Sequence, residues 1–382
     1  MSIQCPRCLD DSNSRLGFSI GSDGICRGCS GFEISKEMDS RLDVLVERIK
    51  LHPSSRHHCL VLVTGIPEDF FVVKTLVANG LNPLLVYVNN YFSSNIAWTN
   101  LHRLITEFDV ECRTVNPHIG IYKKLIKFSL RTVEDIYLPY KLLKFASCVK
   151  IANQTGIKHI VTGEFQPMQT VGKFSPLLDV KNTLWSHFEH DLPQSSYSDF
   201  FNTGLDISEE DLGLYLVQPE DLYSIEWDYL SNYLHWDQWR QDSDMQKYGA
   251  LGQHEKNSFD GLYRSGSSVF FNIHDQLRLK KFGYMKVRDL LSREIRHKRI
   301  TRANAVELYS YYLENRNFNS DDFFKWLNID SIGREWLRHH KIGENVQSVN
   351  SNELNIRDFF SDCIPNSLLN PVKDFCTFEK GI

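Results

Sequence analysis

Four cysteines near the start of the chain carry the clearest chemistry. Cys5-Pro6-Arg7-Cys8 and Cys26-Arg27-Gly28-Cys29 are two C-x-x-C turns separated by seventeen residues, inside the window of a zinc ribbon. Each turn offers two thiolates, and two facing turns complete a tetrahedral sulfur shell. Gly21 and Gly24 precede the second pair, where the turn needs backbone freedom. A redox centre would instead use a single C-x-x-C beside a strand–helix unit. Cys5, Cys8, Cys26 and Cys29 are therefore expected to hold one zinc ion. Four protein ligands close the shell, so that zinc is structural.

A second candidate is the hexapeptide Thr64-Gly65-Ile66-Pro67-Glu68-Asp69. It follows the apolar run Cys59 to Val63 and opens a helix, so backbone N–H groups and the helix dipole point at whatever binds there. Thr64 adds a hydroxyl and Gly65 permits close approach. Against an anion, Ile66 crowds the loop, Pro67 donates no hydrogen bond, and Glu68 and Asp69 bring negative charge. The same residues make a good helix start without any ligand, since proline and acids favour the first turn. Tyr229, Tyr233, Trp236 and Trp239 suit stacking on a sugar or base, or packing in a core. The basic stretch from Arg278 to Arg299 suits an acidic ligand, or a solvated helix face.

Elements that would position these residues follow from periodicity. Glu37 to Leu51 reads as an amphipathic helix with Leu42, Leu45, Val46 and Ile49 on one stripe. Cys59 to Val63 and Leu84 to Val88 are short apolar runs that suit buried parallel strands. Helices are expected over Phe70 to Asn79, Asn95 to Phe108 and Leu138 to Thr155, with further strands at Glu111 to Val115 and His159 to Thr162. This alternation predicts an α/β domain with a doubly wound parallel sheet. Ligands in such sheets bind beyond the carboxyl ends of the strands, here Thr64 to Asp69, Asn89 to Ser94 and Gly163 to Thr170. After about residue 190 the pattern is mainly helical. The expected divisions are 1–36 for the zinc ribbon, 37–190 for the α/β domain, 191–342 for the helical region and 343–382 for an Asn- and Ser-rich tail.

A chain of 382 residues with 42% hydrophobic and 12% aromatic content can bury a sizeable core. Its formal charge of −5 gives no global reason to expect a nucleic-acid partner. No apolar run is long enough to span a bilayer, and the first residues do not read as a signal peptide. The remaining five cysteines are scattered and odd in number, as reduced thiols would be, which makes the cytoplasm the expected location.

Taken together these segments resemble the N-acetyl sugar amidotransferase family, a lipopolysaccharide and flagellar-glycan branch of the PP-loop ATP pyrophosphatase superfamily. The resemblance starts at Cys5-Pro-Arg-Cys8 and Asp23-Gly24-Ile25-Cys26-Arg27-Gly28-Cys29. It continues through Gly80 to Val86, the helix start at Asn95 to Asn100, and Gly163-Glu164. It is strongest at Lys281-Phe282-Gly283-Tyr284, Ser292-Arg293-Glu294-Ile295-Arg296 and Ile300 to Ala305.

The resemblance implies a PP-loop-like domain that binds ATP and Mg2+. It also implies activation of the carbonyl oxygen of a sugar's N-acetyl group as an adenylate, and displacement of AMP by ammonia to give an acetamidino group. Adenylation makes sense because an amide oxygen is a poor leaving group. The implied partners are an N-acetylated sugar or sugar nucleotide and a glutaminase that delivers ammonia. Thr64, Gly65, Asp69, Asn89, Gly163 and Glu164 would line the nucleotide site. At the decisive loop the chain departs from the family's Ser-Gly-Gly-x-Asp-Ser, reading Thr64-Gly65-Ile66-Pro67-Glu68-Asp69. Three readings follow: an active amidotransferase, a catalytically impaired paralogue that binds a sugar nucleotide or scaffolds its pathway partners, or an RNA-modifying PP-loop enzyme, against which the acidic balance and the lack of a C-x-x-C beyond the zinc module count.

Overall fold

The computed structural model describes residues 3–12, 18–37, 40–52, 56–163, 207–252, 270–314 and 320–339. Five strands form one parallel sheet: β1 (Cys59–Val63), β2 (Pro83–Val88), β3 (Glu111–Val115), β4 (His159–Thr162) and β5 (Glu226–Tyr229). Their order across the sheet is β3-β2-β1-β4-β5, with Leu60 facing Leu84 on one side and Ile160 on the other. The chain therefore reverses its winding between β1 and β4, and the crevice of a doubly wound sheet opens there.

Alternation along β1 divides its side chains between two cores, because successive residues point to opposite faces. Leu60 packs with Leu84, Val86, Val88 and Ile160 beneath α5 (Ile119–Val133) and α6 (Leu138–Thr155). Cys59, Val61 and Val63 pack with Leu85, Tyr87 and Val161 beneath α2 (Leu42–Lys50), α3 (Pro67–Ala78) and α4 (Asn95–Phe108). Each fully buried aliphatic side chain contributes about 1.5–3 kcal/mol. Helices therefore cover both faces, as the continuous apolar runs require. No helix among the described residues is long and apolar enough to cross a membrane.

The sheet draws β5 from beyond residue 190, where the sequence pattern is mainly helical. Glu226-Trp227-Asp228-Tyr229 is short and half charged, so it carries no apolar-run signal, and only pairing with β4 makes it a strand. The zinc-ribbon segment packs against the C-terminal part of the chain. α1 (Arg27–Glu37) and the four cysteines share a core with the C-terminal helices α10 (Lys286–Arg296) and α11 (Arg302–Glu314).

The turn from β1 to α3 is fixed by a side chain of α4. Gly65 adopts φ +85°, and a Cβ there would stand 2.7 Å from Ala97 Cα, so only glycine fits. Fully buried Asn100 donates from Nδ2 to the Gly65 carbonyl (2.9 Å) and the Leu251 carbonyl (2.9 Å), and its Oδ1 accepts from Leu251 N (2.8 Å). One amide thus ties the loop, α4 and the segment before residue 252 together. Replacing Asn100 by Ala leaves these buried backbone groups unpaired, and urea unfolding should show a loss of about 2–4 kcal/mol.

Candidate functional site

At the amino pole, Cys5, Cys8, Cys26 and Cys29 are all buried and bring their sulfurs within 4.8 Å of one another. Cys5 Sγ lies 4.0 Å from Cys29 Sγ, and Cys8 Sγ lies 3.6 Å from Cys26 Sγ. Four sulfurs at about 2.3 Å from a tetrahedral zinc would stand about 3.8 Å apart. The donor set fits zinc and is too open for a disulfide. Gly24 at φ +78° turns the chain into the second pair, whose Cys26 N–H donates to Cys5 Sγ (3.4 Å).

The buried arginines of the basic stretch between Arg278 and Arg299 have neither of the expected fates, while Lys280 and Lys298 stay exposed. Arg288, Arg293, Arg296 and Arg299 are buried and serve as internal counter-ions. Arg296 pairs with Asp10 (2.7 Å) and donates toward Cys8 Sγ (3.7 Å), while Arg299 pairs with Glu294 (3.2 Å) and with Asp237. Arg278 pairs with Asp289 (2.9 Å), and Leu9 N donates to Ser292 Oγ (3.2 Å). The Ser292-Arg293-Glu294-Ile295-Arg296 block is thus the seat on which the cysteine module rests. A guanidinium beside the sulfurs offsets the excess negative charge of a four-thiolate zinc centre. The aromatic cluster resolves likewise into core: Tyr229, Tyr233, Trp236 and Trp239 are buried.

At the carboxyl ends of the strands, the predicted nucleotide-side residues converge in part. Asp69 is the third residue of α3, and its Oδ2 accepts three backbone hydrogen bonds, from Thr64 N (2.7 Å), Gly65 N (2.7 Å) and Ile66 N (3.1 Å). These are the donors that an anion bound at the strand–helix turn would use. The chain fills its own anion nest with a carboxylate. Burial pushes the Asp69 carboxyl up to about 6, although the three amides and Lys144 pull it back down.

The neighbouring acid closes the crevice itself. A Cβ at Gly163 would stand 2.9 Å from Glu68 Cγ, so the Glu68 side chain lies directly on the end of β4. Gln238 of α8 (Gln238–Asp244) donates to Glu68 Oε2 (3.1 Å) and accepts from Arg293 (2.8 Å). A relay therefore runs from the crevice to α10. Asn89 sits at the end of β2 but spends its side chain locally, donating to Asn116 Oδ1 (3.0 Å) and accepting from Tyr91 N (2.9 Å). Buried Asn90, which sequence reasoning passed over, shapes the same loop by accepting from Phe92 N (2.7 Å) and Ser93 Oγ (3.1 Å). Glu164 lies outside the described residues.

Comparison with known proteins adds two likenesses. Residues 242–333 match a family described as LPS biosynthesis protein WbpG-like, C-terminal domain, and this stretch includes the block that seats the cysteine module. The structure of NMN synthetase from Francisella tularensis aligns at 10% identity with a TM-score of 0.33, covering 70% of this chain and 92% of that one. No curated protein matches the chain.

Two outcomes follow from the geometry. Replacing Arg296 by Met strands buried Asp10 without its cation, and urea unfolding should show a loss of about 3–5 kcal/mol, with faster zinc release to a chelator. A carboxyl held above its ordinary pKa stabilises the fold at low pH, and that contribution fades as pH rises through about 6. Relative to Asp69→Asn, the native chain should therefore gain about 1–2 kcal/mol between pH 7 and pH 5. A pH-independent difference between the two would contradict the buried carboxylate.

Proposed function

We propose that this protein serves lipopolysaccharide biosynthesis as an amidotransferase-like chain whose ATP site is closed by its own acid. On this reading it is a catalytically impaired paralogue that binds an N-acetylated sugar or sugar nucleotide, or scaffolds its pathway partners. The observation that carries the reading is the Asp69 carboxylate on the Thr64, Gly65 and Ile66 amides. Pyrophosphate chemistry needs those donors free to neutralise charge that develops on the leaving phosphates. Here they face a negative group, and Glu68 adds another at the crevice between β1 and β4. The pathway assignment is supported by the WbpG-like match over residues 242–333.

The second reading is the full reaction: conversion of an N-acetyl group to an acetamidino group through an adenylate, with ammonia from a glutaminase partner and Mg2+ on the phosphates. It is favoured by the position of the β1–α3 turn at the winding reversal, where doubly wound sheets take their ligands. It requires Asp69 to leave the nest. Thr64 and Gly65 would then present their amides to the phosphates.

Calorimetry with millimolar MgATP separates the two readings. The native chain should give no binding heat, and should release no pyrophosphate when a UDP-linked N-acetyl sugar and ammonia are supplied. Asp69→Ala, or the restored loop Ile66→Gly, Pro67→Lys, Glu68→Asp, Asp69→Ser, should gain measurable ATP affinity. Pyrophosphate release by the native chain would establish the second reading instead.

A further inference from the structure

The opposite end of the sheet carries a cluster that none of this chemistry uses. His159 and Glu226 are register partners at the first positions of β4 and β5. Asp228 stands two residues along β5, on the same face as Glu226. One donor atom from each of the three lies within 4.8 Å of the others. His159 is completely enclosed, yet among the described residues neither ring nitrogen has a hydrogen-bond partner. A neutral imidazole always presents one N–H and one lone pair, so a buried ring that satisfies neither calls for a ligand.

Asp228 is in a similar position. Its Oδ1 receives the Arg48 guanidinium (2.7 Å) and the Tyr233 hydroxyl (2.7 Å), whereas its buried Oδ2 has no hydrogen-bond partner among the described residues. Glu226 Oε2 stands 3.9 Å from His159 Nδ1, beyond hydrogen-bond reach.

We propose that His159, Glu226 and Asp228 form a second divalent-metal site, suited to zinc, that ties β4 to β5 at the amino end of the sheet. One imidazole and two carboxylates are a borderline donor set of the kind zinc accepts. A tetrahedral zinc needs its donors about 3.4 Å apart, so the three side chains close in slightly when the ion enters. Arg48 and Lys158, which face Glu226 at 3.6 Å and 3.4 Å, balance the carboxylates before the ion arrives. Arg48 keeps its hold on Asp228 Oδ1 afterwards, leaving Oδ2 for the metal. His52 stacks against the outer face of His159 with ring centroids 6.0 Å apart, and shields the ring. The site lies far along the strands from the β1–α3 turn, so it is independent of the ATP question.

Titration of the full chain with zinc and with cobalt tests the proposal. The native protein should bind two equivalents. The first cobalt should bring the sulfur-to-metal charge-transfer band of the cysteine site, and the second should add only weak ligand-field absorption. Glu226→Gln and Asp228→Asn should each reduce the capacity to one equivalent while leaving the charge-transfer band intact. Circular dichroism identifies a variant that has failed to fold, and the part-exposed Glu226 is the safer of the two positions. Saturation of the native chain at one equivalent under micromolar free zinc would overturn the proposal, as would a second equivalent that survives both substitutions.

Discussion

The Asp69 carboxylate on three consecutive amides is the interaction on which the functional end of this molecule depends. It sets the shape of the β1–α3 turn, gives the first turn of α3 its cap, and occupies the ground where a phosphate would sit. A helix start attracts negative charge through its exposed N–H groups and its dipole. The attraction does not distinguish a ligand from the chain's own acid. Here the acid is covalently attached and always present, so a phosphate must compete with a group that pays no entropy of association. The balance is not wholly one-sided. Burial raises the carboxyl to about 6, which means that desolvation takes back part of what the three hydrogen bonds provide.

A second constraint acts at the other pole. The cysteine module has few apolar residues of its own and cannot form a core alone. It gains one by resting on α10 and α11, and the contact is set by buried charge as much as by apolar packing. Arg296 reaches Asp10 and the edge of the sulfur cluster from the far end of the chain, and Arg302 donates to the Cys8 carbonyl (3.2 Å). Such pairs cost desolvation, and they also permit only one seating of the module. Gln238 and Arg293 extend the same layer to Glu68. The cysteine pole and the crevice are therefore joined by one row of side chains through α10.

Much of this was legible from the sequence, for physical reasons that differ by element. β1, β2 and β4 announce themselves because strands buried on both faces must be continuous apolar runs. α4 runs over Asn95–Phe108 as expected, because Ser94 caps it and its apolar stripe is regular. The C-x-x-C spacing is a local signal and places four thiols correctly. β5 was not legible, since its strand character comes from a neighbour more than sixty residues earlier in the chain. The burial of the basic stretch was hidden for the same reason: Arg296 finds its counter-ion 286 positions away. Asp69 is the instructive case. Its place in the first turn suits a helix start, and the resemblance puts the same residue in a nucleotide site. In the structure its carboxylate takes the three backbone amides of its own helix start. His159, Glu226 and Asp228 could meet only through strand register, which sequence alone does not supply.

Whether the crevice can take a phosphate depends on what occupies the amides of Thr64, Gly65 and Ile66. Nuclear magnetic resonance of the isotope-labelled native chain reads this directly, by following those three amide signals while millimolar MgATP is added at neutral pH. With Asp69 in the nest the three signals should stay in place when MgATP is added, and should shift as the Asp69 carboxyl titrates near pH 6. Displacement of the three signals by MgATP, with saturation, would show that the nest opens to phosphate and would contradict a site closed by Asp69.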